Sequence, residues 1–225
     1  MKFKLFRQLI DQNFNKLVSR IVREKKLLVT PASNKRLEEL LRISQMIENE
    51  GLPKFLSCQK LPHQLGKGIF LKKDTQPLQR NALIAPYAGK VSLVPENLYD
   101  DSGYIFSLLS RFCLTQDEQA RFDPTRKFHP RRFYSIEIDA LKQGNFTRYI
   151  NHSENPNVYA GCFSIGKNNP FDLTPSPMEI FYIAKRKIYP GEQLLISYEE
   201  EEGSYWDPMK VKPFPMDPST FKSSC

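Results

Sequence analysis

The chain has 225 residues and 26.2 kDa, enough for one substantial core with extensions and too few for two full-sized domains. Hydrophobic residues at 40%, charged residues at 26% and aromatics at 12% exclude disordered and collagen-like sequence, and seventeen prolines disfavour a helical bundle. The formal charge of +8 is concentrated at the start: residues 1–36 carry ten Lys and Arg against Asp11 and Glu24, and the rest of the chain is neutral overall. No run approaches the roughly 18–20 uncharged apolar residues of a membrane-spanning helix, and the start lacks the apolar core and cleavage site of a secretory signal. The expectation is a soluble protein of the cytoplasm or nucleus.

In chain order, Leu5, Phe6, Leu9, Ile10, Phe14, Leu17, Val18 and Ile21 recur at helical spacing opposite Lys and Arg, which predicts a basic amphipathic helix. Its apolar stripe needs a partner, either the main domain or a second copy of the chain in a homodimer. Its basic face suits nucleic acid or an anionic surface. A second helix is expected after Ser33 or Asn34 as cap, with Leu37, Leu40, Leu41 and Ile47 on one side, ending at Gly51 before Pro53.

From Leu52 the texture changes to short runs rich in Ile, Phe and Tyr, punctuated by Pro, Gly and Asn. Residues 68–71, 104–108, 133–138 and 179–184 read as strands, whereas 164–178 and 207–219 have loop composition. The fold class expected is mainly β with α extensions. The organisation expected is a basic helical extension over 1–51, the main domain over 52–200 and a C-terminal extension over 201–225. Cys58, Cys113, Cys162 and Cys225 stand far apart and share no ligand spacing with His63, His129 and His152, so no metal site is expected and the thiols read as free.

Four motifs stand in order. Gly66-Lys67-Gly68 comes first, then Tyr87-Ala88-Gly89, then the run RYINHSENPN at 148–157 after Gly144-Asn145, and last GEQLLISY at 191–198. A lone GxG is a weak signal, but in this company the chain resembles the SET domain, the protein-lysine methyltransferase module, over roughly residues 60–200. The resemblance implies small curved sheets with a C-terminal pseudoknot that brings Asn151 and His152 beside Tyr198. It implies S-adenosylmethionine as cofactor, bound by Lys67, Gly68, Arg148, Tyr149, Asn151 and His152, with Tyr198 as catalytic tyrosine and Tyr87 lining the lysine channel. Methyl transfer needs alignment, exclusion of water and an unprotonated amine, which placement and an apolar channel supply without a dedicated base.

The departures from the family pattern carry information of their own. Glu154 replaces the cysteine of zinc-closed members, so the cover over the cofactor is assigned instead to Trp206 with Tyr205 and Phe214. Gln193 and Ser197 stand where acids are common. Ile196 stands where a tyrosine or phenylalanine often limits methylation, so di- or trimethylation is expected at least as readily as monomethylation. Tyr104, Phe106 and Leu108 fall where the family adds its substrate as a strand, and Glu199 and Glu200, in a run of four acids, would draw a basic peptide to the channel rim. The partner implied is a lysine-rich protein, a histone or histone-like protein. Lack of zinc modules resembles stand-alone SET proteins, and an intracellular bacterial source would make the chain a secreted effector. Two rival readings remain, a SET-derived binding module without catalysis and a DNA-associated protein acting through its basic arm. The insert with Arg121, Arg126, Lys127, Arg131 and Arg132 reads as a basic surface or a nucleic-acid contact.

Overall fold

The computed structural model describes residues 12–25, 30–31, 33–62, 66–96, 103–164 and 178–198. Helix α1 spans Gln12–Glu24, β1 Thr30–Pro31 and α2 Asn34–Glu50; strands β2 (Leu56–Lys60), β3 (Lys67–Leu71), β4 (Leu83–Pro86), β5 (Lys90–Pro95) and β6 (Ile105–Cys113) follow. Helix α3 (Gln116–Phe122) precedes β7 (Phe133–Asp139), β8 (Asn151–His152), β9 (Val158–Ser164), β10 (Met178–Ala184) and β11 (Leu195–Ile196). The strands form three small sheets: β4-β10-β9-β11-β8 with β1 joined to β9, the hairpin β2-β3, and β5-β7-β6. The chain is mainly β, as its texture predicts.

The cap of α2 is resolved in favour of Ser33, whose hydroxyl accepts from the Arg36 N–H at 3.3 Å, and Gly51 closes the helix with a positive φ of 75°. The helical spacing of Leu40, Ile43 and Ile47 then buries one face of α2 in the same cluster as Ile69, Ile84, Ile138, Ile150 and Phe181. Leu17, Val18 and Ile21 of α1 are buried in a second cluster with Leu109, Phe112, Tyr134 and Ile136 from β6 and β7. Of the two partners open to the stripe, α1 takes the chain's own sheet. Arg20 fixes the docking: its guanidinium donates to both carboxylate oxygens of Glu118 at 2.7 Å and to the Cys113 carbonyl at 3.1 Å. That fork against a carboxylate is the geometry in which an arginine pair contributes most.

The C-terminal end of the described chain is threaded. Leu194 N–H donates to Ile69 O, tying the segment to β3, and β11 then runs between β8 and β9, parallel to both. Residues 153–157 join β8 to β9 across it, so the chain passes under its own loop in a pseudoknot. This is a rare exception to the unthreaded connections of most folds.

Candidate functional site

The crossing brings distant segments to one place. Ser153 N–H donates to Ile196 O at 2.9 Å and Asn157 N–H to Leu195 O at 3.1 Å, so the NHS segment is locked to β11 by backbone. Tyr198 follows directly: its N–H donates to His152 Nδ1 at 3.0 Å, the two rings lie 5.4 Å apart, and its hydroxyl donates to Ile150 O at 3.0 Å. His152, buried at 6% exposure, therefore acts as an acceptor that orients the backbone of Tyr198.

Tyr87 reaches the same region from the loop after β4. Its hydroxyl donates to the Tyr104 carbonyl at 2.7 Å, and its ring packs 5.4 Å from Phe106 and 5.6 Å from Tyr182. Burial, reinforced by the nearby Tyr198, pushes the Tyr87 phenol above the ordinary tyrosine range, and burial with both neighbouring tyrosines does the same to Tyr182. Tyr87 and Tyr182 are thus held as neutral hydroxyls. Tyr182 is the residue that sequence reasoning passes over, since it sits in an apolar strand whose register no motif marks. Its cross-strand partners are Ala85 and Ala160, two small residues that leave space around its ring.

A second group lies on the β3 side. Asn151 Nδ2 donates to the Lys67 carbonyl at 2.9 Å, fixing the GKG segment against β8. The Tyr149 ring has the Lys67 ammonium 5.4 Å from its centre and the Arg148 guanidinium 4.8 Å from it. Arg148 also donates to the Tyr149 hydroxyl at 2.7 Å and to the carbonyls of Ala140 and Leu141 at 3.0 Å. At Gly68 a Cβ would come within 2.7 Å of Gln193 Nε2, so with any larger residue the Gln193 side chain would have to move. The Gln193 amide is itself buried and finds no hydrogen-bond partner among the described residues.

Among the nominated residues, Lys67, Gly68, Arg148, Tyr149, Asn151 and His152 therefore line one side of the crossing. Tyr198, Tyr87, Tyr104 and Phe106 connect to the other. Ile196 is buried in β11, and Leu108 is half-buried further along β6, packed against both apolar clusters. Trp206, Tyr205, Phe214, Glu199 and Glu200 lie outside the described residues. Strand β6 has one strand neighbour among the described residues, β7, and no described strand pairs with its outer edge. Near its end, Lys25 and Arg20 donate to the carbonyls of Ser110 and Cys113, which confines the open edge to the half that begins at Ile105.

The SET domain profile matches residues 17–199. The chain belongs to the SET domain family. This SET domain is 28% identical over 133 residues to the H3 lysine-9 specific histone-lysine N-methyltransferase SUVH1 of Nicotiana tabacum, covering 59% of this chain and 17% of that protein. It is 27% identical over 137 residues to an H3 lysine-36 specific histone-lysine N-methyltransferase of Gibberella zeae, covering 59% of this chain and 12% of that protein. The chain thus spans less than a fifth of the length of these relatives. In three dimensions the SET domain superposes on two crystal structures of ATXR5 in complex with histone H3 methylated on R26, with TM-scores of 0.54 and 0.55 at 19% and 20% identity. The alignments cover 79% and 78% of this chain and 71% and 72% of those. At that identity the likeness establishes the fold. No helix among the described residues is long and apolar enough to cross a membrane.

Proposed function

We propose that this SET domain is a protein-lysine N-methyltransferase that uses S-adenosylmethionine and acts on a lysine-rich tail of a histone or histone-like protein. The observation that carries the proposal is the meeting of Tyr198, fixed through Ile150 O and His152 Nδ1, with Tyr87 and Tyr182 beside the Lys67–Asn151 contact. The histone-lysine methyltransferase names of the relatives support the substrate class and, with it, a place of action in the nucleus.

The residues fit the donor. Gly68 allows a ligand or neighbouring chain to approach the backbone, Tyr149 stacked with Lys67 and Arg148 stands beside it, and Asn151 holds the GKG segment in place. Lys67, Gly68, Arg148, Tyr149, Asn151 and His152 would hold it. When bound, S-adenosylmethionine supplies an electrophilic methyl group on a positively charged sulfur.

The protein's part is placement. Tyr87, Tyr182 and Phe106 form an apolar wall that excludes water and disfavours the charged form of a substrate lysine, so the amine is presented neutral without a side-chain base. The Tyr198 hydroxyl and the Ile150 carbonyl are oxygens toward which a polarised methyl group can be aimed by weak C–H···O contacts. A peptide added along the open half of β6 would run past Tyr104 and Phe106 and direct one lysine toward Tyr87. Ile196, which carries no hydroxyl to hold a water, admits di- or trimethylation at least as readily as monomethylation.

The test is transfer of labelled methyl groups from S-adenosylmethionine to core histones, wild type beside Tyr198→Phe. Label on a discrete histone band that disappears in the variant is the expected result. Cofactor binding without transfer to any basic protein would replace this reading with that of a binding module.

A further inference from the structure

Strand β7 connects two ends of the molecule. Its Asp139 end adjoins Tyr104 and the site above, and its Phe133 end, six residue steps or about 20 Å away, opens on a cavity of about 470 Å³ lined by Glu96, His129, Arg131, Arg132 and Phe133. None of these residues takes part in the methyltransferase site. Phe133 is 38% exposed, a large ring left to solvent on an edge that also carries Arg111, Arg131, Arg132 and Glu96.

The groups are arranged rather than scattered. Arg111 lies in the bulged part of β6 with φ at +54°, a conformation that non-glycine residues seldom hold, and its guanidinium sits 5.4 Å over the Phe133 ring. Its Nε lies 3.3 Å from Glu96 Oε1. Arg132 Nη1 donates to Lys127 O at 2.9 Å, which anchors that guanidinium on the loop, whereas Arg131 makes no side-chain hydrogen bond or ion pair among the described residues. His129 Nδ1 accepts from Arg131 N–H, so the neutral ring carries its proton on Nε2 and presents a donor.

We propose that this groove is a docking site for single-stranded RNA. A base stacks on the Phe133–Arg111 pair, Arg131 and Arg132 hold the adjoining phosphates, and a ribose hydroxyl donates to Glu96. Cations beside an open aromatic face are what a flexible strand with splayed bases needs. An acidic peptide would use the arginines but would gain nothing from the ring, and its carboxylates offer Glu96 no donor. A ribose hydroxyl is a donor, and a carboxylate is the acceptor that suits it.

The experiment is fluorescence anisotropy with a labelled uridine oligonucleotide and its deoxy counterpart, at low and at physiological salt. Expected are binding that weakens steeply with salt, a preference for RNA over DNA that Glu96→Gln removes, and a loss of about tenfold or more in Arg131→Glu and in Phe133→Leu. Lys16→Glu and Arg23→Glu on α1 should bind as wild type does. Absence of binding, equal affinity for the deoxy strand, competition by polyglutamate as effective as by RNA, or loss of binding in the α1 variants instead would each overturn the proposal. Methyl transfer to a peptide, measured on Arg131→Glu, should stay at the wild-type rate, so failure here and failure of the methyltransferase reading are separate results.

Discussion

Asn157 and Leu195, 38 positions apart, are joined by two reciprocal bonds: Leu195 N–H donates to Asn157 Oδ1 at 2.8 Å while Asn157 N–H donates to Leu195 O at 3.1 Å. The Asn157 amide also donates to Gln193 O at 2.8 Å, so one side chain satisfies two backbone groups of the threaded segment. It is 1% exposed, so these bonds are shielded from bulk water.

Asn157→Ala should therefore leave the Leu195 N–H and the Gln193 carbonyl buried without these partners, at a cost of about 2–4 kcal/mol. Thermal unfolding measures this. Because Tyr198 is positioned by the same crossing, methyl transfer should fall with stability; a variant that melts as wild type does would show that the knot does not depend on this amide.

Tyr198→Phe should lower kcat by about a hundredfold or more, since it removes the hydroxyl held on Ile150 O while the ring can still pack on His152. Tyr87→Phe should cost less, because Tyr104 O keeps a second donor in Ala140 N–H. Burial and Tyr198 hold the Tyr87 phenol above the ordinary range, so it stays protonated at neutral and mildly alkaline pH. The pH–rate profile of Tyr87→Phe should accordingly parallel that of wild type up to about pH 10. A descending limb near pH 9 that the substitution abolishes would contradict this.

Two glycines should fail in different ways. At Gly89 a Cβ would lie 2.5 Å from the Asp139 carbonyl oxygen, and backbone cannot step aside, so Gly89→Ala should lower stability by about 1–3 kcal/mol or more. At Gly68 the nearest obstacle is the Gln193 side chain. Gly68→Ala should fold and instead weaken S-adenosylmethionine binding about tenfold or more by calorimetry. Near-native cofactor affinity in Gly68→Ala would detach that residue from the site.

Asp123 makes stability depend on acid. Burial alone would raise its pKa, but Arg126, 3.1 Å away, and the Tyr134 hydroxyl at 2.9 Å hold it below the usual carboxylate value. A folded-state pKa that is depressed contributes stability above the unfolded value of about 3.9 and loses it as pH falls through the folded one. Denaturant unfolding should thus find Asp123→Asn less stable than wild type at pH 7, with the gap closing below about pH 4. A gap constant across that range would exclude the ionised carboxylate as its source.

How much of this was legible depends on range. A cap at Ser33 or Asn34, the end at Gly51 and a strand at 133–138 follow from neighbours in sequence, and the motif at 148–157 names its own residues. Tyr182 was not legible, because strand alternation assigns it a face without saying what that face meets. The Arg20–Glu118 pair, separated by 98 positions, and the groove at Phe133 were equally hidden.

By itself the sequence determined the two leading helices, four of the strands and the family, since caps, periodicity and contiguous motifs are local properties of the chain. The three-dimensional structure alone decided that α1 docks on the β6–β7 sheet, that Tyr182 joins Tyr87 and Tyr198, and that a basic edge encloses an exposed ring. Each of these depends on register and threading, and both are fixed by packing between residues far apart in the chain rather than by any residue's own preference.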